Sequence, residues 1–130
     1  HLGPLAEQLD VISIHTYPVW EFKSIDEGLA YTIANYEAVK STYPDKQIII
    51  TEAGWATNSN GRGIESHNVN EEFQHQYFHQ LMDWAEQQQV LVYFFEAFDE
   101  NWKGSNDPLE PEKHWGIYKA DRSPKLVMQN

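Results

Sequence analysis

The residues best placed to do chemistry are Thr51-Glu52-Ala53-Gly54-Trp55-Ala56, which follow directly on Ile48-Ile49-Ile50. An apolar run that ends in a carboxylate and then turns on a glycine reads as a buried strand with Glu52 at its C-terminal mouth. That mouth is where (β/α) barrels gather their reactive groups. By the two-residue period of a strand, Ile48, Ile50 and Glu52 are expected on one face, apolar until its last residue. A carboxylate in that position needs a partner or a task. The task that fits is nucleophilic or proton-transfer chemistry on a sugar, with Trp55 offering a flat apolar face for a pyranose ring.

Further carboxylates, Glu96, Asp99 and Glu100, lie at and just past the end of the apolar run 90–98. Retaining glycosidases use two carboxyl groups about 5–5.5 Å apart, and adjacent strands lie about 4.8 Å apart. Spacing therefore allows Glu96 or Glu100 to partner Glu52 without choosing between them. Glu7, Glu65, Glu71 and Glu86 read as solvated surface groups, and Asp99 as a loop cap. His75 and His79 stand four apart on a helical segment, a spacing that can hold zinc. Gln76, however, occupies the place where zinc hydrolases carry a Glu beside the first His. They read as surface helix histidines, and neither a metal nor an organic cofactor is expected. His15 ends a strand and His114 precedes Trp115, so each reads mainly as structural, with cleft contact as the functional alternative.

The elements that must position these groups follow from periodicity. Residues 10–15 form a short, nearly continuous apolar run, the signature of a strand buried on both faces. Ser24 and Glu27 make a capping box, after which Leu29, Ile33, Tyr36 and Val39 recur at helical spacing. Residues 47–52 and 90–98 read as two more strands. Between them Asn68 and Glu71 cap a helix whose apolar face is Phe73, Tyr77, Leu81 and Ala85. The loop 99–114 is irregular, 115–118 is a short extended piece, and the ends 1–8 and 125–130 read as tails. Trp84 is expected to pack its helix on the sheet, and Trp20, on a loop, is hard to explain as core.

Alternating strands and helices of these lengths mean parallel βαβ units. Residues 1–130 form one unit with no internal boundary. Three parallel strands leave two unpaired edges, so the expectation is part of a larger barrel, its edges covered by an upstream half or by self-association. The chain starts at His1 rather than Met, and a processed or truncated start is expected.

Composition narrows the partners. Aromatic residues make up 14% of the chain, with Trp 5, Tyr 7 and Phe 6, which suits an aromatic-rich core or a cleft for flat ligands. The net charge of -11, from Lys+Arg 9 and Asp+Glu 20, argues against nucleic acid, which requires basic groups to displace counterions. It equally disfavours an anionic membrane surface, and no apolar run is long enough to insert. With Cys 0, disulfides and thiolate metal sites are excluded.

Four blocks together resemble glycoside hydrolase family 17, the β-1,3-glucanases and glucanosyltransferases. Thr51 to Trp55 resembles the nucleophile motif. Tyr93 to Lys103, YFFEAFDENWK, resembles the last barrel strand and its loop. Glu112 to Tyr118 resembles the closing segment, and Asp10 to Pro18 the sixth strand with its Tyr-Pro. The blocks fall in family order. The resemblance implies an α/β fold, strands six to eight of a (β/α)8 barrel. It implies Glu52 as nucleophile, oriented by Tyr17, with Glu100 and Lys103 as the Glu-x-x-Lys pair and Glu112 as a further acidic group at the cleft. Trp55, Trp102 and Trp115 are then candidates to line sugar subsites, with Glu96 in support. The partner implied is a β-glucan oligosaccharide or polysaccharide, in a parent protein that is secreted, periplasmic or on the cell envelope.

One departure stands out. The family's acid/base is a Glu at the end of the fourth strand, usually after Asn. Here Asn70-Glu71 opens a helix instead, so the acid is expected outside these residues and the chain alone is expected to be inactive. Competing expectations are another barrel β-glycosidase of the same clan and a non-catalytic glucan-binding module.

Overall fold

A computed structural model describes residues 2–129; His1 and Asn130, the outermost residues of the expected tails, lie outside it. A short helix α1 (Gly3–Ala6) leads into strand β1 (Val11–Thr16). Helix α2 (Ile25–Thr42), strand β2 (Gln47–Ala53), helix α3 (Glu71–Gln88) and strand β3 (Val92–Phe94) follow. The three strands form one parallel sheet in the order β1-β2-β3. The expected α/β unit of three parallel strands with intervening helices is therefore what the chain folds into.

Local chemistry explains the helix starts. The Glu27 carboxylate accepts from the Ser24 N–H at 2.9 Å and from its hydroxyl at 3.0 Å, closing the capping box at α2. Helix α3 is capped by Asn70, whose side-chain oxygen accepts from the Phe73 N–H at 2.6 Å, and not by Asn68 as the sequence suggested. Asn68 is buried instead, its amide donating to the Lys23 carbonyl.

The helices cover one face of the sheet. The core there joins Ile50 and Ala53 of β2 to Tyr77 and Leu81 of α3, with Trp55, Ile64, Val90 and Trp115. Helix α2 buries Ile25, Gly28 and Thr32, a narrower and more polar stripe than its large apolar residues predict. Thr32 shares a hydrogen bond with the Tyr77 hydroxyl at 2.6 Å. Gly28 leaves room for the Trp55 ring, which a Cβ would meet at 2.7 Å. Trp84 stacks edge-on against Tyr36 of α2, so it serves helix-to-helix packing as well as the core. Among the described residues no helix packs on the opposite face of the sheet, and Val11 and Tyr93 are exposed.

The ends of the chain differ from the expected tails. Residues Leu126–Met128 form a 3-10 turn with Val127 buried, and the Leu126 N–H donates to Glu71 at 2.9 Å. Strand β3 is shorter than the run 90–98 predicts. Past it, residues 96–99 exchange backbone hydrogen bonds with 115–118, from Glu96 N–H to the Trp115 carbonyl at 3.1 Å through to Asp99 N–H and the Tyr118 carbonyl at 2.9 Å. The expected extended piece is thus paired to the chain past β3 but forms no strand, only isolated bridges from Tyr118 to Phe98 and Pro124.

Candidate active site

The register of β2 slips beside Glu52. Ile14 pairs with Ile50 but His15 pairs with Glu52, and on the other side Ile50 pairs with Val92 while Ala53 pairs with Phe94. One extra residue sits in β2, a bulge of the kind that re-aims side chains near reactive centres. The expectation that Ile48, Ile50 and Glu52 share a face is therefore wrong. Ile48 and Ile50 face the helices and are buried, and so is Ala53, three residues on from Ile50. Glu52 points instead to the helix-free face, where its side chain is 34% exposed.

Two residues of β1 and the turn after it meet the carboxylate. The Tyr17 hydroxyl donates to Glu52 Oε2 at 2.5 Å. His15 Nδ1 approaches the same oxygen at 3.2 Å. Burial first, then the bond to Glu52 and the charges of Glu52, Glu112 and Glu96, raise the Tyr17 hydroxyl above its ordinary range, so it stays a donor. A cavity of about 210 Å³ opens over Glu52, walled by Tyr17, Trp20, Phe95, Glu112 and Trp115. Tyr17 meets Trp115 edge-on at 5.1 Å and Phe95 at 5.8 Å. Gly54 permits this closure: a Cβ there would run into the Phe95 carbonyl and crowd the Trp115 ring.

The expected site residues separate into three groups. Tyr17, Glu52, Glu112 and Trp115 share the cavity, although Trp115, 1% exposed, offers a sugar a face hardly more open than Trp55 does. Glu96, Glu100 and Lys103 form a cluster beside it. Lys103 Nζ lies 3.1 and 3.3 Å from the two Glu96 oxygens, pairs with Glu100, and stands 4.7 Å from the centre of the Phe95 ring. Trp55 and Trp102 are elsewhere. Trp55 is fully buried against Tyr77, and its indole N–H donates to the Asn68 carbonyl at 3.0 Å. It has no face open to a sugar, because the turn after the bulge points it toward the helices. Trp102 is the opposite, 76% exposed on the loop past β3.

Electrostatics divide the two carboxyls of the cluster. Burial pushes Glu96 up to about 7; the hydrogen bond from Lys103 opposes this and the neighbouring Glu100 reinforces it. Glu100 is held low, chiefly by Lys103. Burial works against the Lys103 charge, but its bonds to Glu100 and Glu96 hold its pKa above the ordinary lysine value. Burial also raises Glu112, with Lys103 opposing and Glu110 adding to it.

Several functional positions escaped the sequence reading. His15, read mainly as structural, takes the alternative reading of cleft contact, since it meets Glu52. Trp20, hard to explain as core from the sequence, both packs against the core and walls the cavity. Gln74, buried on α3, donates to the carbonyls of Trp55 at 3.0 Å, Trp115 at 3.3 Å and Gly116 at 3.1 Å, tying both loops to one helix. Lys125, read as tail, is buried and donates to Asp99 at 2.7 Å and to Thr57 at 2.8 Å. Asp99 also accepts from the Gly116 N–H at 2.9 Å, the loop-capping role expected of it. His114 contacts the Pro108 carbonyl at 2.8 Å, and does not wall the cavity. His75 and His79 meet edge-on with ring centres 4.4 Å apart, and among the described residues no cluster of metal-binding side chains occurs.

Residues 2–116 match the family described as the BtgE/BtgC glycoside hydrolase domain. A glucan 1,3-beta-glucosidase of Arthroderma benhamiae is 30% identical, the match taking in 87% of this chain and 40% of that protein. An endo-laminarinase from Formosa Hel1_33_131 superposes with a TM-score of 0.90 at 26% identity, over 98% of this chain and 40% of that one. The glycoside hydrolase family 17 β-1,3-glucanosyltransferase of Rhizomucor miehei gives 0.81 at 25% identity, over 96% of this chain and 44% of that one. An active-site mutant of that enzyme, in complex with laminaritriose, gives 0.83. The chain thus spans about two fifths of the length of these relatives. With the family match running through nearly all of its length, and with the fold of family 17 barrel proteins, the chain belongs to the BtgE/BtgC glycoside hydrolase domain family.

Proposed function

We propose that these residues supply the nucleophile half of a retaining site that cleaves or transfers β-1,3-glucan, and that residues 1–130 form one part, strands six to eight, of a single (β/α) barrel domain. The observation that carries this reading is Glu52, turned by the bulge onto the helix-free face and held by Tyr17 at 2.5 Å in an aromatic-walled cavity. The laminaritriose complex of the Rhizomucor miehei relative supports a β-1,3-glucan oligosaccharide as the ligand class.

The Glu52 carboxylate attacks the anomeric carbon and the glycosidic C–O bond breaks. The leaving oxygen takes a proton from a second carboxyl group. Water or an acceptor hydroxyl, deprotonated by that same group, then attacks the anomeric carbon and frees Glu52. Tyr17 fixes Oε2, which leaves Oε1 to attack. Glu96, Glu100 and Lys103 form a charged wall beside the reacting ring, and Glu112 and Trp115 border the cavity that holds it. The second carboxyl comes from the segment that completes the barrel against the bare edges of β1 and β3.

Incubating the 130-residue chain with a soluble β-1,3-glucan tests this. No oligosaccharides from the chain alone, and release when the upstream half is added, is the expected result, with Glu52→Ala silent in both cases. Products from the chain alone would mean that the acid lies within it and would overturn the split-site reading.

A further inference from the structure

Two glycines in the loop after β2 share a backbone conformation and differ in their surroundings. Gly61 has a φ of +83° and Gly63 a φ of +79°, both in the left-handed region that favours glycine. A Cβ on Gly61 would meet nothing within 4 Å. A Cβ on Gly63 would come within 2.5 Å of the Trp20 ring. Backbone conformation accounts for both glycines, and Gly63 has a second reason to lack a side chain.

The loop is tied too firmly to move aside. Ser59, 4% exposed, donates to the Ile64 carbonyl at 2.6 Å and accepts from the Gly61 N–H at 3.0 Å. Ile64 is fully buried in the core. The Asn60 amide donates to Asp107 at 3.0 Å, which fastens this loop to the one past β3. Trp20 is the softer partner, because it sits on the turn after β1 and is only partly buried. It walls the Glu52 cavity, whereas Gly63 does not line it, so the indole stands between the loop and the cavity. Trp115, another wall, lies 6.3 Å from it between ring centres, with the planes tilted by 34°. A side chain at position 63 would therefore drive the indole toward a cavity of only about 210 Å³.

We infer that Gly63 is a specificity-determining position of the Glu52 cavity, acting through Trp20 to keep open the space that the reacting sugar ring fills. This rests on the function proposed above. Gly63 is a positioning residue, since it touches the wall and not the sugar. Its effect falls on binding rather than on bond making, because Trp20 borders the ring and neither attacks it nor transfers a proton. In a wall packed at protein density even one added methyl group is felt.

The test is the concentration dependence of covalent labelling of the 130-residue chain by a 2-deoxy-2-fluoro laminaribioside with a dinitrophenolate leaving group. The parent is compared with Gly63→Ala, Gly61→Ala and Gly63→Ala/Trp20→Phe. Gly61→Ala carries the same backbone penalty without the contact. Gly63→Ala should raise the half-saturating concentration roughly tenfold, the scale of modest overpacking, and leave the limiting rate near that of the parent. Gly61→Ala should match the parent in both. The smaller ring of Gly63→Ala/Trp20→Phe should recover most of the loss. A Gly63→Ala chain that does not fold, with the double variant folded and labelled, would support the same clash. A parent labelled at Glu52, with Gly63→Ala matching it, would remove the inference and leave the proposed function intact. Equal losses in the two alanine variants, or a double variant no better than Gly63→Ala, would also remove it. A parent that is not labelled at Glu52 would overturn the proposed function and the inference with it.

Discussion

Replacing Lys103 with methionine removes the cation that Glu96 and Glu100 share while keeping most of the side-chain volume. Lys103 Nζ lies 3.1 and 3.3 Å from the two oxygens of Glu96, and an opposite charge at that range holds a carboxyl down by about 1–3 pKa units. Burial has already pushed Glu96 up to about 7 against that pull. Without it, the upper titration step of the Glu96–Glu100 pair should climb further above the ordinary carboxyl range. Carboxyl-detected carbon NMR across a pH series reads this directly. Folding stability gives a second readout. Glu96 binds its proton more tightly folded than unfolded, so the folded state carries the extra proton between the ordinary carboxyl range and about 7. Stability from this group is therefore full below its unfolded pKa and falls as pH rises through that window. With one unit worth about 1.4 kcal/mol, a fall of about 1–3 kcal/mol is expected in urea unfolding of the parent, and a larger one in Lys103→Met. An upper step that stays put or moves down in the variant would refute the reasoning, because the Lys103 charge would then not be what opposes burial.

Trp55→Ala should destabilise the chain by about 3–5 kcal/mol in urea unfolding, as expected for a fully buried aromatic; a loss below about 1 kcal/mol would return Trp55 to the cleft. Lys125→Met should cost about 3–5 kcal/mol, because it strands the Asp99 carboxylate beneath the closing segment, and Lys125→Met/Asp99→Asn should recover part of it. A double variant no better than the single would show that the pair is not the source.

Much of the site was legible because strand ends, caps and aromatic blocks leave local signatures. Glu52 stood out as the single carboxylate closing an Ile run, the Ser24–Glu27 box formed as its spacing implied, and the Glu100-x-x-Lys103 pair formed as the family resemblance implied. The bulge in β2 was not legible. Periodicity assumes unbroken alternation, and nothing in Ile50-Thr51-Glu52 marks where one residue drops out of register. That one slip misassigned the face of Glu52, although its importance survived. Trp55 and Trp102 are the same residue type in similar loop contexts, yet one packs on Tyr77 and the other stands in water. Only tertiary contacts separate them. Gln74, Thr32 and Lys125 were invisible for a related reason. Polar side chains usually lie outside, and these lie inside because specific carbonyls, a tyrosine hydroxyl and a carboxylate wait for them.

The central claim is that Glu52 is the nucleophile that bonds to the anomeric carbon, and covalent trapping tests it most directly. A 2-deoxy-2-fluoro laminaribioside with a dinitrophenolate leaving group needs no acid, so the chain can react even if the second carboxyl lies elsewhere. The account predicts a mass gain of one fluoroglycosyl unit that maps to the peptide containing Glu52 and is absent in Glu52→Gln. A label on Glu96, Glu100 or Glu112 with Glu52 unmodified would contradict it.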